Sequence, residues 1–316
     1  MTYVLLLLLL IALEYGYFGV ADRFNIIDRP NERSSHTQIT LRGGGIIFPL
    51  SVLLYTAFWG LDHPYFVAGL CLICGVSFAD DIRSISSRVR IVFHFAAMLL
   101  MFHQWGLFHL YPLWYILIAL IFCTGILNAY NFMDGINGIT GGYSLVAILT
   151  LLVCNRWVVP FVDFPLLYVL VLALLVFCFF NFRPKAKCFA GDVGSVGIAF
   201  ILLYLIGRLV LQTGSLYWLL LLAIYGVDSI LTIVHRLMLH ENIFQPHRKH
   251  AYQILANELH VPHVKVSALY MGLQLLVNAG AVALYSTPYR WGYWVAVIVL
   301  FCGIYVWFVN KYFKQA

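Results

Sequence analysis

Eleven apolar runs of close to 20 residues constrain this chain more than any other feature. They centre on residues 1–20, 44–60, 65–78, 89–102, 111–127, 139–154, 164–180, 196–211, 216–237, 266–284 and 292–313. A run of that length spans the hydrocarbon core of a bilayer, and in lipid only a helix or a closed barrel satisfies every backbone polar group within itself. The runs lack the alternation of a membrane strand, so the expectation is an all-α polytopic membrane protein with about 11 transmembrane helices. The run at 65–78 is short, which suggests a tilted or partly re-entrant segment. Composition agrees: 63% of the 316 residues are hydrophobic and 10% charged, against about 25% charged in a soluble domain. A single integral membrane domain over 1–316 accounts for the whole pattern.

The basic residues set the expected orientation. Sixteen of the 19 Lys and Arg fall in the odd-numbered interhelical loops or the C-terminal tail, and the opposite loops hold only Arg156 and Arg290. By the positive-inside rule the odd loops and the C-terminus are expected to be cytoplasmic and the N-terminus to face out. The first run lacks a basic flank and a small-residue cleavage site and reads as retained. The seven Cys lie in spans or on the cytoplasmic side, so no disulfide framework is expected. No soluble basic module interleaved with aromatics is present, which argues against a nucleic-acid partner.

The chemistry sits in the loops assigned to the cytoplasmic face. Asn128 to Gly138 reads N-A-Y-N-F-M-D-G-I-N-G, with three Asn, one Asp and no basic residue between two apolar runs. Caps and turns explain one or two such residues; four suggest a ligand or a metal. Asp80 and Asp81 end the third run, where paired carboxylates need a cation, either Arg83 or a metal. Gly43, Gly44 and Gly45 lead into the second run beside Arg33, His36 and Arg42. Consecutive glycines at a helix start can offer backbone N–H groups to an anion, or form an ordinary hinge. Arg183, Lys185 and Lys187 precede Gly191-Asp192-Val193-Gly194, joining phosphate-binding charge to an acidic turn. His247, Arg248, Lys249 and His250 make a donor cluster suited to a diphosphate. Asp228 is the lone acid of its run and is free to pair with Arg236 or with a loop base.

These motifs, R-S-S-H with R-G-G-G, F-A-D-D, N-A-Y-N-F-M-D-G-I-N-G, K-C-F-A-G-D-V-G-S and P-H-R-K-H, stand in order over roughly residues 20 to 260. The chain thereby resembles the polyprenyl-phosphate N-acetylhexosamine-1-phosphate transferases, the undecaprenyl-phosphate GlcNAc-1-phosphate transferase group related to phospho-MurNAc-pentapeptide translocase. The resemblance implies a Mg²⁺-dependent enzyme, with Mn²⁺ as a substitute. It would move a sugar 1-phosphate from a UDP-N-acetylhexosamine to undecaprenyl phosphate at the cytoplasmic face. It implies Asp80, Asp81 and Asp134 as catalytic carboxylates, with Asn131 and Asp192 as metal ligands. Asn128, Asn137, Arg42, Lys187, Arg248 and His250 would bind substrate, Asn137 facing uracil. The oligomeric state is left open, a homodimer included.

Two positions depart from the family pattern. His250-Ala251-Tyr252-Gln253 replaces H-x-H-H, and Tyr225 replaces Pro ahead of Asp228. The A-Y-Q ending resembles O-antigen-initiating enzymes that use 6-deoxy-N-acetylhexosamines. The rival class is a transporter or flippase of anionic lipid-linked sugars. Such sites usually lie near the bilayer midplane, whereas these clusters gather at one face.

Overall fold

The computed structural model describes residues 1–30, 35, 38–242 and 247–312. Arg33, His36 and Lys314 lie outside the described residues. The chain runs through helices α1 (Thr2–Arg23), α2 (Ile47–Trp59), α3 (Pro64–Ile82), α4 (Ser87–Gln104), the short α5 (Leu107–Leu110), α6 (Leu113–Met133) and α7 (Ile139–Trp157). It continues with α8 (Phe164–Asn181), α9 (Gly191–Thr213), α10 (Ala223–Met238), the single turn α11 (Ala251–Gln253), α12 (His263–Leu284) and α13 (Arg290–Tyr312). Strands β1 (Ile27–Asp28) and β2 (Thr40–Leu41) pair antiparallel across the first loop and are the only departure from all-α among the described residues.

Nine helices are long and apolar enough to cross a membrane among the described residues. The third expected span is one of them, since α3 covers 19 residues rather than the short apolar run alone. The helix starts at Pro64, whose fixed φ suits a first helical residue, and gains its extra turn at Ala79–Ile82, which includes Asp80 and Asp81. Two of the eleven expected spans are helices that miss the criterion. α2 has 13 residues, and α4 carries Arg88, Arg90, His94 and His103 along its length.

The bundle is organised around α9, of whose membrane window 83% is buried, against 17% for α13. It packs against α3, α6, α2 and α7. Its first turn crosses the Gly43–Ile46 segment at backbone contact, so close that a Cβ on Gly45 would lie 2.2 Å from the Gly194 Cα. Glycine at both positions permits that crossing, and the crossing brings Arg42 onto Asp192.

The ninth span is broken without a proline. A 3₁₀ segment, Leu216–Leu222, gives way to α10, and the unpaired backbone groups at the junction are satisfied from α12. Gln274 Oε1 accepts from Ile224 N at 3.1 Å and from Tyr143 Oη at 2.6 Å, while its Nε2 donates to Leu220 O at 2.8 Å. Non-helical backbone at membrane depth persists where protein groups re-satisfy it.

Candidate active site

The α3 C-terminus, the α6 C-terminus and the α9 N-terminus meet at one end of the bundle. Asp81 is buried there, and its two oxygens accept from Asp192 N and Val193 N, each at 2.9 Å. It thus caps α9 from outside that helix, placing negative charge where the helix dipole favours it. Gly191 starts α9 with φ +70°, and a Cβ there would stand 2.6 Å from Asp81 Oδ2. Only glycine admits both the left-handed backbone and the cap.

Arg42 Nε lies 2.6 Å from Asp81 Oδ1, and its Nη2 lies 3.1 Å from Asp192 Oδ1. Arg90 Nη1 contacts Asp192 Oδ2 at 2.9 Å and Asp80 Oδ2 at 2.8 Å. Acids and guanidiniums alternate in the order Asp80, Arg90, Asp192, Arg42, Asp81. Burial opposes the charge on Arg42, yet Asp81 and Asp192 hold its pKa above the ordinary arginine value. Asp80 Oδ1 also accepts from Ile85 N at 2.5 Å, so this carboxylate fixes the α3–α4 turn that delivers Arg90.

A cavity of about 310 Å³ opens beside this ladder, lined among others by Asp28, Arg42, Asn131, Asp134, Asn137, Asn181, Phe189, Asp192, Gln253 and His263. Asn131 Oδ1 accepts from Ser195 Oγ at 2.6 Å. Asn137 Nδ2 donates to the carbonyls of Arg183 and Pro184 at 3.0 and 3.2 Å, while its Oδ1 is buried with no partner. Asn181 joins the Asn-rich turn to the basic loop: Oδ1 accepts from Gly138 N at 2.8 Å and Nδ2 donates to Cys188 O at 2.9 Å. Burial raises the Asp134 carboxyl to about 6.

The structure therefore brings Arg42, Asn131, Asp134, Asn137 and Asp192 to one cavity, with Asp80 and Asp81 behind its wall. Asn128, Lys187, Arg248 and His250 lie outside its lining. Asn128 Nδ2 is spent on Thr124 O at 3.0 Å within α6. The Lys187 ammonium sits 5.0–5.9 Å from the ring centres of Tyr15, Phe18 and Phe180, a cation–π cage on α1 and α8. Lys249 pairs with Glu241, which also holds Arg236 at 3.1 Å. Arg236 is thus taken, and Asp228 faces His250 instead. Arg248 is half-exposed.

Two amides of the glycine run are committed to the chain rather than offered to an anion. Gly44 N donates to Phe189 O at 2.9 Å and Gly45 N to Ala190 O at 3.0 Å, so the run is a packing seam. Two residues escaped the sequence reading: Arg90, read only as loop charge, and Asn181, a lone polar residue with no pattern to mark it. Ser195 stood in the G-D-V-G-S motif without a role, and Gln253 was noted only where it replaces the last His of H-x-H-H.

Fold and cavity together define a multi-pass helical membrane protein whose polar site lies at one end of the bundle. A family model for glycosyl transferase family 4 matches residues 63–233, more than half of the chain, and the protein belongs to that family. An undecaprenyl-phosphate alpha-N-acetylglucosaminyl 1-phosphate transferase of Thermotoga maritima is 25% identical over 247 residues, covering 76% of each chain. Its counterpart in Escherichia coli K12 is 23% identical over 295 residues, 84% of this chain and 79% of the relative. A phospho-N-acetylmuramoyl-pentapeptide-transferase of Petrotoga mobilis is 28% identical over 200 residues, 53% of this chain and 60% of the relative.

Proposed function

We propose that the protein transfers an N-acetylhexosamine 1-phosphate from a UDP-sugar to undecaprenyl phosphate, releasing UMP, at the cytoplasmic face of a bacterial inner membrane. The observation that carries this reading is one cavity in which Asp192, Asn131, Asp134, Asn137 and Arg42 converge. Those are the group types a divalent cation and a diphosphate require together. The names of the Thermotoga and Escherichia relatives support undecaprenyl phosphate as the acceptor and an N-acetylglucosaminyl 1-phosphate as the group moved.

Asp192 and Asn131 fit a Mg²⁺ ion, with Mn²⁺ as substitute, because both offer hard oxygen donors to the cavity. When bound, the ion neutralises diphosphate oxygens and stabilises UMP as the leaving group. The rest of the chemistry belongs to the chain. The lipid phosphate is largely ionised at neutral pH, its second pKa being about 6. Its oxygen bonds to the β-phosphorus as the bond from that phosphorus to the UMP oxygen breaks, and no proton need be removed. Asp80 therefore serves by holding Arg90 rather than as a base. Arg90 and Arg42, both reaching Asp192, stabilise charge on the transferring phosphoryl group. Asn137, whose Oδ1 is without a partner, and Phe189 line the cavity and would receive the uracil.

The sugar is a 6-deoxy-N-acetylhexosamine or N-acetylglucosamine, and the product would initiate an O-antigen or related envelope polysaccharide. Gln253, on the cavity wall where the family carries His, is the selecting residue. Tyr252 is not, since its hydroxyl is committed to Phe132 O at 2.9 Å. The test is UMP release by purified protein from undecaprenyl phosphate and several UDP-N-acetylhexosamines, with and without a chelator. The proposal expects release from at least one donor and its loss on chelation. Silence with every donor, lipid and Mg²⁺ present, overturns it.

A further inference from the structure

Asp228 is buried in α10, away from the cavity, yet three of the five groups it meets, His250 Nδ1, Ala251 N and Tyr252 N, belong to one turn of chain. Its Oδ1 accepts from Ala251 N at 3.0 Å and from Thr232 Oγ1 at 3.2 Å, and lies 3.3 Å from His250 Nδ1. Its Oδ2 accepts from Tyr270 Oη at 2.6 Å and from Tyr252 N at 3.4 Å. A carboxylate taken out of water needs such a set to remain there. His250 Nδ1 is the ring nitrogen turned to the carboxylate, and Nε2 is buried and without a partner.

The turn fixed in this way faces the reacting end of the bundle. Tyr252 reaches across to Phe132 in the Asn-rich segment. Gln253 lines the cavity, and its Oε1 accepts from His250 N at 3.3 Å. One carboxylate inside the membrane bundle thus sets where His250 and Gln253 stand relative to Asn131 and Asp134.

We propose that Asp228 is the positioning residue of the donor-binding loop, orienting His250 and the Ala251–Gln253 turn for the sugar nucleotide without touching it. The idea rests on the transfer reaction proposed above. It also explains why an isolated acid sits in the ninth span when Arg236 is engaged elsewhere.

The test uses the full-length protein in detergent and the isosteric Asp228→Asn variant. Hydrogen–deuterium exchange should quicken at Ala251 and Tyr252 by roughly tenfold or more, with α9 unchanged, because an amide group cannot replace both carboxylate acceptors. Steady-state kinetics with UDP-GlcNAc should show KM raised roughly tenfold to a hundredfold with kcat near wild type. Mn²⁺ binding should be unaltered. Tyr270→Phe, which removes a single donor, should shift both readouts the same way by less, and stands in if Asp228→Asn does not fold. Unchanged exchange at 251–252, or a fall in kcat at constant KM, overturns the proposal. If wild type transfers no sugar, the reaction reading fails, while the exchange result still decides the positioning.

Discussion

Asp81 and Asp192 are neighbours with different duties. Asp81 has both oxygens on the α9 backbone and a guanidinium beside them, so Asp81→Asn should cost about 2–4 kcal/mol, seen as a lower melting temperature in detergent. Asp192 faces the cavity, and Asp192→Asn should abolish UMP release while folded protein persists; near wild-type release would remove it from the site. His247 supplies a pH test. Burial lowers its pKa from 6.5 to about 4, so only the unfolded state takes up a proton just below 6.5. Stability from this group is therefore present above 6.5 and lost as pH falls toward 4, by about 1–2 kcal/mol after screening. His247→Gln should flatten that part of the melting-temperature profile. At this scale Asn131 and Asp192 were legible in the sequence because their neighbours made a pattern. Arg90 was not, since nothing in a row of loop arginines says which one turns back to an acid at the end of α3.

Helices were read more securely than their junctions. Lipid leaves the backbone few choices, so the apolar runs located the spans, and α3 exceeded its run only because polar Asp80 and Asp81 still belong to the helix. The R-G-G-G segment was left open between an anion nest and a hinge for a physical reason: an exposed nest and a buried helix crossing both require glycine, and only the partner segment of chain distinguishes them. The crossing predicts intolerance. Gly194→Ala places a Cβ 2.6 Å from Gly45 Cα, backbone that cannot swing aside as a side chain does. It should cost about 1–3 kcal/mol or prevent folding. Fluorescence-detected size exclusion after a heat ramp would measure it, and an unchanged profile would contradict the packing described. The break before α10 was hidden as well, because its repair comes from Gln274, fifty residues later.

Across the molecule, loops far apart in the chain form one polar end. Contacts from Arg42 to Asp192, from Asn137 to Arg183 and from Tyr252 to Phe132 make the gathering explicit. From the charge bias of the sequence that end is expected at the cytoplasm, so a reporter fused to the C-terminus should be active only there; periplasmic activity would reverse the placement of the site. The alternating ladder of three acids and two arginines carries a thermodynamic consequence. A cation at Asp192 would compete with Arg42 and Arg90 for its oxygens, and guanidiniums so released would be free for phosphate oxygens. Each ligand would thereby prepare the protein for the other. Linkage makes that help reciprocal: UDP should bind more tightly in the presence of Mn²⁺, and Mn²⁺ more tightly in the presence of UDP, by the same factor.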